Sequence, residues 1–258
     1  MKYIETTVKD KIGYIILNRP EKRNALNYKM VSELKSTFKN FEDDALVKVI
    51  VLKSKGKVFC AGADLESLQQ LQNNTYEENL EDSLHLKALY QLIYSLKKVV
   101  IAQVHGHAIA GGCGLASICD FSFAAPEAKF GYTEVKIGFI PALVKVFLIR
   151  KIGEAKAREI LLTGDLFSAD VAAAMGLINY VVPAATLEQK VINFATHLIQ
   201  NNSGESMSFT KNMIAEVQNL SLEEGLQYAA EMNASARSGN DCKKGIAAFL
   251  NKEAIQWN

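Results

Sequence analysis

Cysteine is scarce in this chain. Its 258 residues hold four, Cys60, Cys113, Cys119 and Cys242, with no C-x-x-C among them. They outline neither a disulfide framework nor a paired-cysteine metal site, and a reducing, cytoplasmic setting is the expectation. An excess of either charge is also missing. Twenty-nine Lys and Arg stand against 28 Asp and Glu, leaving +1, so no global field recruits nucleic acid or an anionic membrane surface. The opening MKYIETTVKD lacks the long apolar run of a secretory signal. The most apolar stretch, residues 99–125, is interrupted by His105, His107, Asp120 and several glycines, which excludes a plain membrane-spanning helix. Low-complexity segments and a readable internal repeat are absent as well.

What remains is an ordinary globular composition, 49% hydrophobic and 22% charged, long enough to bury a core without staples. At about 150 residues per domain, the length suits one large domain with an appendage. Two β-rich runs, Lys11–Asn18 and Val47–Ser54, flank an amphipathic helix whose Val31, Leu34, Phe38 and Phe41 recur at helical spacing. Val99–Val104 and Phe121–Ala124 read as further short buried strands. The order suggests β-β-α or β-α-β units. After Pro183 helical patterns take over: Val191, Phe194, Ala195, Leu198 and Ile199 share one face, and Leu222, Leu226, Ala229 and Ala230 continue a second stripe. Thr186–Gln189 and Ser221–Glu224 both have the capping-box arrangement that starts a helix. The expected division is an α/β core over residues 1–183 and a helical region over 184–258, whose exposed stripe is a candidate interface.

Two glycine-rich loops are where chemistry could sit. One is Phe59-Cys60-Ala61-Gly62-Ala63-Asp64, after the Val47–Ser54 strand. The other is His107-Ala108-Ile109-Ala110-Gly111-Gly112-Cys113-Gly114, after Val99–Val104 and before Leu115–Ile118, which could open a helix. Such strand-to-helix turns leave backbone N–H groups free for a phosphate, or for an oxygen that becomes negative during reaction. A single such loop is more often only a tight turn packed on a sheet. No Gly-Lys-Ser/Thr and no G-x-G-x-x-G is present, so neither is a nucleotide loop of those kinds. His105 and His107 have no third ligand spaced to complete a zinc site, and a structural role is expected for them. Cys60 and Cys113 have no histidine placed to activate them and read as small packing residues.

Four motifs occur in order: N-R-P-E-K-R-N-A-L over residues 18–26, F-C-A-G-A-D-L over 59–65, H-G-H-A-I-A-G-G-C-G-L-A-S-I-C-D over 105–120, and A-K-F-G-Y-T-E-V-K-I-G-F-I-P over 128–141. Together they resemble the crotonase family, the enoyl-CoA hydratase/isomerase superfamily, and the resemblance extends through L-T-G-D at 162–165 and A-M-G-L-I-N-Y-V-V at 174–182. It implies a spiral of β-β-α units, a helical C-terminal trimerisation region, trimers or hexamers of two trimers, and an acyl-CoA substrate with no further cofactor and no metal. It maps the two backbone donors for the thioester oxygen onto Ala63 and Gly111, and the catalytic carboxylate onto Glu134. Lys22 and Arg23 fall where basic residues meet the CoA phosphates, although an exposed charged turn explains them equally well. Ala61 and Asp64 belong to the first loop, Asp64 more as its brace than as a reactant. Phe249 and Lys252 resemble residues that reach a neighbouring subunit's CoA.

The sequence departs from the family at Gly114, where typical hydratases carry a second glutamate. A hydratase must activate water at Cβ and protonate Cα, work easily shared between two carboxylates, whereas moving a double bond needs one base. That chemistry leans toward an isomerase. The run T-E-V-K-I-G-F-I-P-A with glycine at 114 instead resembles the methylglutaconyl-CoA hydratase-like branch, with Gly114 expected to leave volume for a branched acyl chain. Hydration of a 2-enoyl-CoA is the leading expectation. Isomerisation of a 3-enoyl-CoA, or a catalytically idle acyl-CoA-binding subunit, is the alternative.

Overall fold

Strands buried on both faces read as unbroken apolar runs, and this explains why Val99–Val104 and its neighbours show no polar alternation. In the computed structural model, which describes residues 2–257, they form one sheet of six strands: β1 (Ile4–Lys9), β2 (Ile12–Leu17), β3 (Val49–Ser54), β5 (Val99–Val104), β7 (Phe121–Ala124) and β10 (Tyr180–Val181), in that spatial order. Only the β1–β2 hairpin is antiparallel; the rest of the sheet is parallel. A second sheet takes β4 (Val58–Cys60), β6 (His107–Ile109), β8 (Lys129–Gly131) and β9 (Phe167–Ser168).

β1 and β2 both enter the large sheet ahead of α1; each of the next three turns gives one strand to the large sheet, one to the small sheet, and then a helix. The helices are α1 (Tyr28–Asp43), α2 (Leu65–Leu71) with α3 (Tyr76–Ser95), α4 (Gly111–Ile118) and α5 (Val144–Thr163). This is the expected spiral of β-β-α units. Successive turns share geometry rather than sequence, so no sequence repeat reveals them.

Side chains alternate across the large sheet with period two. Ile15, Leu17, Ile50, Leu52, Val100 and Ala102 face the core under α1, α3, α4 and α5. Ile12, Tyr14, Val49, Val51, Ile101 and Phe123 face the other way and are covered by α7 (Ala184–Asn201) through Leu187, Val191, Ala195, Leu198 and Ile199. Phe194 adds edge-on contact to Phe121, ring centres 4.8 Å apart. Packing therefore runs on across the 183/184 division, because the first helix after Pro183 closes the sheet.

Boundaries differ from expectation in places. The helix at 184 starts directly after Pro183, whose fixed φ favours helix entry. Thr186 lies in its first turn, with Oγ1 donating to the Pro183 carbonyl at 3.2 Å, so no capping box forms there. Ser221 and Glu224 do form one at the start of α9 (Leu222–Ser238), and Thr75 with Glu78 forms another that opens α3. α6 (Ala169–Ala174), α8 (Gly204–Val217) and α10 (Asn240–Asn251) complete the chain. Leu222 and Leu226 on α9 and Ile246, Phe249 and Leu250 on α10 stay exposed. Among the described residues no helix is long and apolar enough to cross a membrane.

Candidate active site

The two glycine loops follow β4 and β6, neighbouring parallel strands of the small sheet, and interlock. Gly62 has φ +87°, and a Cβ on it would stand 2.8 Å from Ala110 Cβ and 3.2 Å from the Gly111 nitrogen. A Cβ on Gly112 would stand 2.2 Å from the Cys60 carbonyl oxygen. Only glycine permits this approach, which brings the peptide ahead of Ala63 against the first residue of α4. Ala110, just before that helix, holds φ 51° and ψ −125°, an uncommon conformation for a residue with a Cβ, tied down by its N–H donating to the Gly131 carbonyl at 2.7 Å.

Two backbone donors of these loops have no acceptor among the described residues. Segment 23–26 runs beside the first loop: the Ala61 N–H donates to Arg23 O at 3.1 Å, the Leu26 N–H to Gly62 O at 2.7 Å, and the Asp64 N–H to Leu26 O at 3.0 Å. In this parallel bridge between Leu26 and Ala63, Ala63's own N–H points away from Leu26. Gly111 is the first residue of α4, so its N–H has no acceptor within the helix, and the helix dipole adds positive potential there. Two unspent N–H groups on abutting loops can bind an oxygen that gains charge.

A buried ion pair braces the first loop. Arg19, 5% exposed, pairs through Nη1 with Oδ2 of Asp64, 2% exposed, and also donates to the Ala25 carbonyl at 3.2 Å. Asp64 Oδ1 caps α2 by accepting from the N–H groups of Glu66 and Ser67. Burial alone would raise the Asp64 pKa; the Arg19 hydrogen bond and the two backbone donors outweigh it and hold the carboxyl below its ordinary range. Asn24, itself at positive φ, links the loop to β4 by donating to the carbonyls of Lys55 and Val58, both at 2.8 Å. Arg19 and Asn24 sit inside the first motif, but nothing in the sequence marked them as the clamp.

Glu134 opens a 3₁₀ turn, residues 134–137, after β8. Its side chain is half-buried, and Oε2 is fully buried with no hydrogen-bond partner. Burial raises its pKa, offset in part by its own backbone N–H. Glu134 follows β8, which pairs with β6, and the Gly131 carbonyl just before it accepts from the Ala110 N–H, so its turn lies next to the second loop. An unpartnered buried carboxylate oxygen is costly, and this one lies on the residue three past Gly131.

At Gly114 the structure corrects the sequence reading. A Cβ there would lie 2.3 Å from Val144 Cγ1 and 3.2 Å from Tyr90 Oη. The space a Gly114 side chain would use is filled from α5 and α3, so it is not open volume. Tyr90 and Val144, on helices with no motif, carried no sequence signal for this.

Lys22 and Arg23 lie on an exposed turn over the first loop; Lys22 pairs with Glu66 at 2.6 Å, an interaction that raises the Lys22 pKa. Phe249 is 82% exposed and Lys252 ends α10, which packs on α8 and α9 and not on the glycine loops. His105 Nε2 meets the Gly56 carbonyl at 2.7 Å, and His107 Nδ1 accepts from the Lys129 N–H at 3.1 Å. Desolvation pushes the Cys60 and Cys113 thiols up to about 12, so both stay protonated packing groups.

Residues 7–258 match the family described as Enoyl-CoA hydratase/isomerase. A Thermus thermophilus protein is 40% identical over 244 residues, covering 95% of this chain and 96% of its own length. The protein named enoyl-CoA hydratase, mitochondrial, of Pongo abelii is 36% identical over 249 residues, 95% of this chain and 83% of that protein. The crystal structure of an enoyl-CoA hydratase from Mycobacterium smegmatis superposes with a TM-score of 0.93 at 28% identity, over 99% of this chain and 98% of that one.

Proposed function

Since the chain belongs to the enoyl-CoA hydratase/isomerase family, we propose that it adds water across the double bond of a 2-enoyl-CoA, with Glu134 as its one catalytic carboxylate and the Ala63 and Gly111 N–H groups as the oxyanion donors. The observation that carries this reading is the buried, unpartnered Oε2 of Glu134, on the turn that follows the strand paired with the second glycine loop. The donors polarise the thioester carbonyl, which makes Cβ electrophilic and stabilises the enolate that forms as a nucleophile adds. Glu134 takes a proton from water as its oxygen bonds to Cβ. It then returns that proton to Cα as the enolate collapses, so the elements of one water molecule are added and the carboxylate is regenerated. A single carboxylate on one face of the substrate suffices for this sequence. CoA is part of the substrate, and the chemistry requires no metal or redox cofactor.

Lys22 and Arg23 are proposed to meet the CoA phosphates, Ala61 and Asp64 to shape the loop against the thioester, and Phe249 and Lys252 to reach a neighbouring subunit's CoA. Isomerisation of a 3-enoyl-CoA is the second reading, favoured by glycine at position 114, since proton removal at C2 and return at C4 also needs one base. The methylglutaconyl-like assignment rests on the T-E-V-K-I-G-F-I-P-A run alone, without steric support at Gly114.

The purified protein, assayed with crotonyl-CoA, methylglutaconyl-CoA and a 3-enoyl-CoA, separates these readings. Turnover of either 2-enoyl substrate with water uptake is expected. Turnover of the 3-enoyl substrate alone would replace hydration with isomerisation, and thioester binding without turnover of any of the three would leave an idle acyl-CoA binder.

A further inference from the structure

Resting on that reading of Ala63 and Gly111 as oxyanion donors, we propose that Tyr90 is a positioning residue for the pair, its phenol fixing the first turn of α4 so that the Gly111 N–H holds its aim at the thioester oxygen. Tyr90 stands on α3, 1% exposed, and its Oη donates to the Gly111 carbonyl at 2.9 Å. The oxygen would lie 3.2 Å from a Cβ on Gly111 and 3.2 Å from a Cβ on Gly114. The phenol therefore reaches the helix start only because both positions lack a side chain. Phe147 of α5 meets the Tyr90 ring nearly edge-on, centres 6.4 Å apart at 78°, and limits its movement.

Gly111 needs such a brace for a physical reason. It has no side chain to restrict its own backbone, and Ala110 immediately before it holds a strained conformation. A helix that begins on a strained residue followed by two glycines has little intrinsic stiffness in its first turn. A hydrogen bond from a rigid, buried ring to the Gly111 carbonyl supplies it, and in a dry environment that bond is stronger than at the surface. Burial raises the Tyr90 pKa well above the ordinary tyrosine value, and the Glu134 charge adds to it, so the phenol stays a neutral donor while Glu134 changes charge. The same geometry accounts for glycine at 114. Tyr90 and Val144 occupy the room a side chain there would use, so a backbone clamp stands where a second carboxylate would project.

Tyr90→Phe removes Oη and nothing else. The readouts are crotonyl-CoA kinetics and the absorbance red shift of bound 4-dimethylaminocinnamoyl-CoA, which reports carbonyl polarisation. In Tyr90→Phe the red shift should shrink and kcat should fall about five- to tenfold, the scale of one buried hydrogen bond, with KM changed less than about twofold. Tyr94→Phe, which removes a hydroxyl bonded to Gln218 rather than to α4, should match wild type in both. A native red shift and native kcat in folded Tyr90→Phe overturn the proposal, and so does a change in thermal stability alone. Absence of a red shift in wild type would instead overturn the oxyanion reading beneath it. Should Tyr90→Phe fail to fold, 3-fluorotyrosine introduced at position 90 keeps the ring and strengthens the donor. A larger red shift is then expected, and an unchanged one overturns the proposal.

Discussion

Glu134 works only if its carboxyl is ionised in the resting enzyme, and its environment opposes that. Burial raises its pKa above the ordinary 4.5, so the base form is lost as pH falls through that raised value. The acid limb of kcat/KM for crotonyl-CoA should accordingly lie above pH 4.5 and reflect one ionisation. A limb at or below the ordinary glutamate value would mean that Glu134 is solvated and not the base. Gly114 gives a prediction of opposite character. Adding even one methyl group there drives it into Val144, so Gly114→Ala should cost about 1–3 kcal/mol of stability by overpacking, measured by denaturant unfolding. Gly114→Glu should be worse and gain no hydration activity. A stable, more active Gly114→Glu would show that Val144 and Tyr90 yield readily. Asp64→Asn keeps a capping side chain for α2 but strips the partner from buried Arg19. The expected loss is about 3 kcal/mol at neutral pH, the scale of a buried pair broken on one side. Because the Asp64 pKa is depressed in the fold, the stability it contributes is present above the ordinary 3.8 and disappears as pH falls through the folded value. The wild-type and Asp64→Asn unfolding curves should therefore converge in acid; a constant gap would contradict the pairing. Candidate side chains lying in motifs were legible at this scale. Tyr90 and Val144 were not, because what makes them matter is contact between helices far apart in sequence.

Elements were legible where burial left a one-dimensional trace. β5 and β7 match the expected runs residue for residue, because a strand enclosed on both faces is apolar along most of its length, Gln103 and Ser122 being the buried exceptions. α1 follows the spacing of Val31, Leu34, Phe38 and Phe41, with Asn27 accepting from the Met30 N–H to start it. The small sheet was not legible. β4, β6 and β8 are three residues each, too short for alternation to register, yet they carry the loops on which the site depends. α4 was half seen: Leu115–Ile118 signalled it, but the helix begins at Gly111 because the loop's glycines are its first turn. That displacement of four residues bears on the proposed oxyanion role, since it turns Gly111 from a loop residue into the first residue of a helix. α7 illustrates a pattern read correctly with a destination left unread. Its apolar face was evident in sequence, but that it covers the large sheet follows only from the fold.

At the scale of the molecule the unsatisfied feature is apolar surface. Leu222 is 81% exposed, Phe249 82% and Leu250 72%, all on α9 and α10, and neither helix buries any residue. We propose these two helices, with apolar stripes and no buried side chains, as an association surface, occupied in the trimer implied by the family resemblance. Light scattering should return a mass that is a multiple of three times 28.4 kDa, with a clean monomer at micromolar concentration as the contrary result. In the proposed mechanism one carboxylate, Glu134, performs the proton transfers on a thioester held by two backbone donors. Glu134→Gln tests it most directly, because the substitution keeps the size of the side chain and removes its titration. Crotonyl-CoA hydration by this variant should fall by about 10²- to 10⁴-fold, while acetoacetyl-CoA binding measured by calorimetry stays close to wild type. Undiminished hydration by Glu134→Gln would contradict the account.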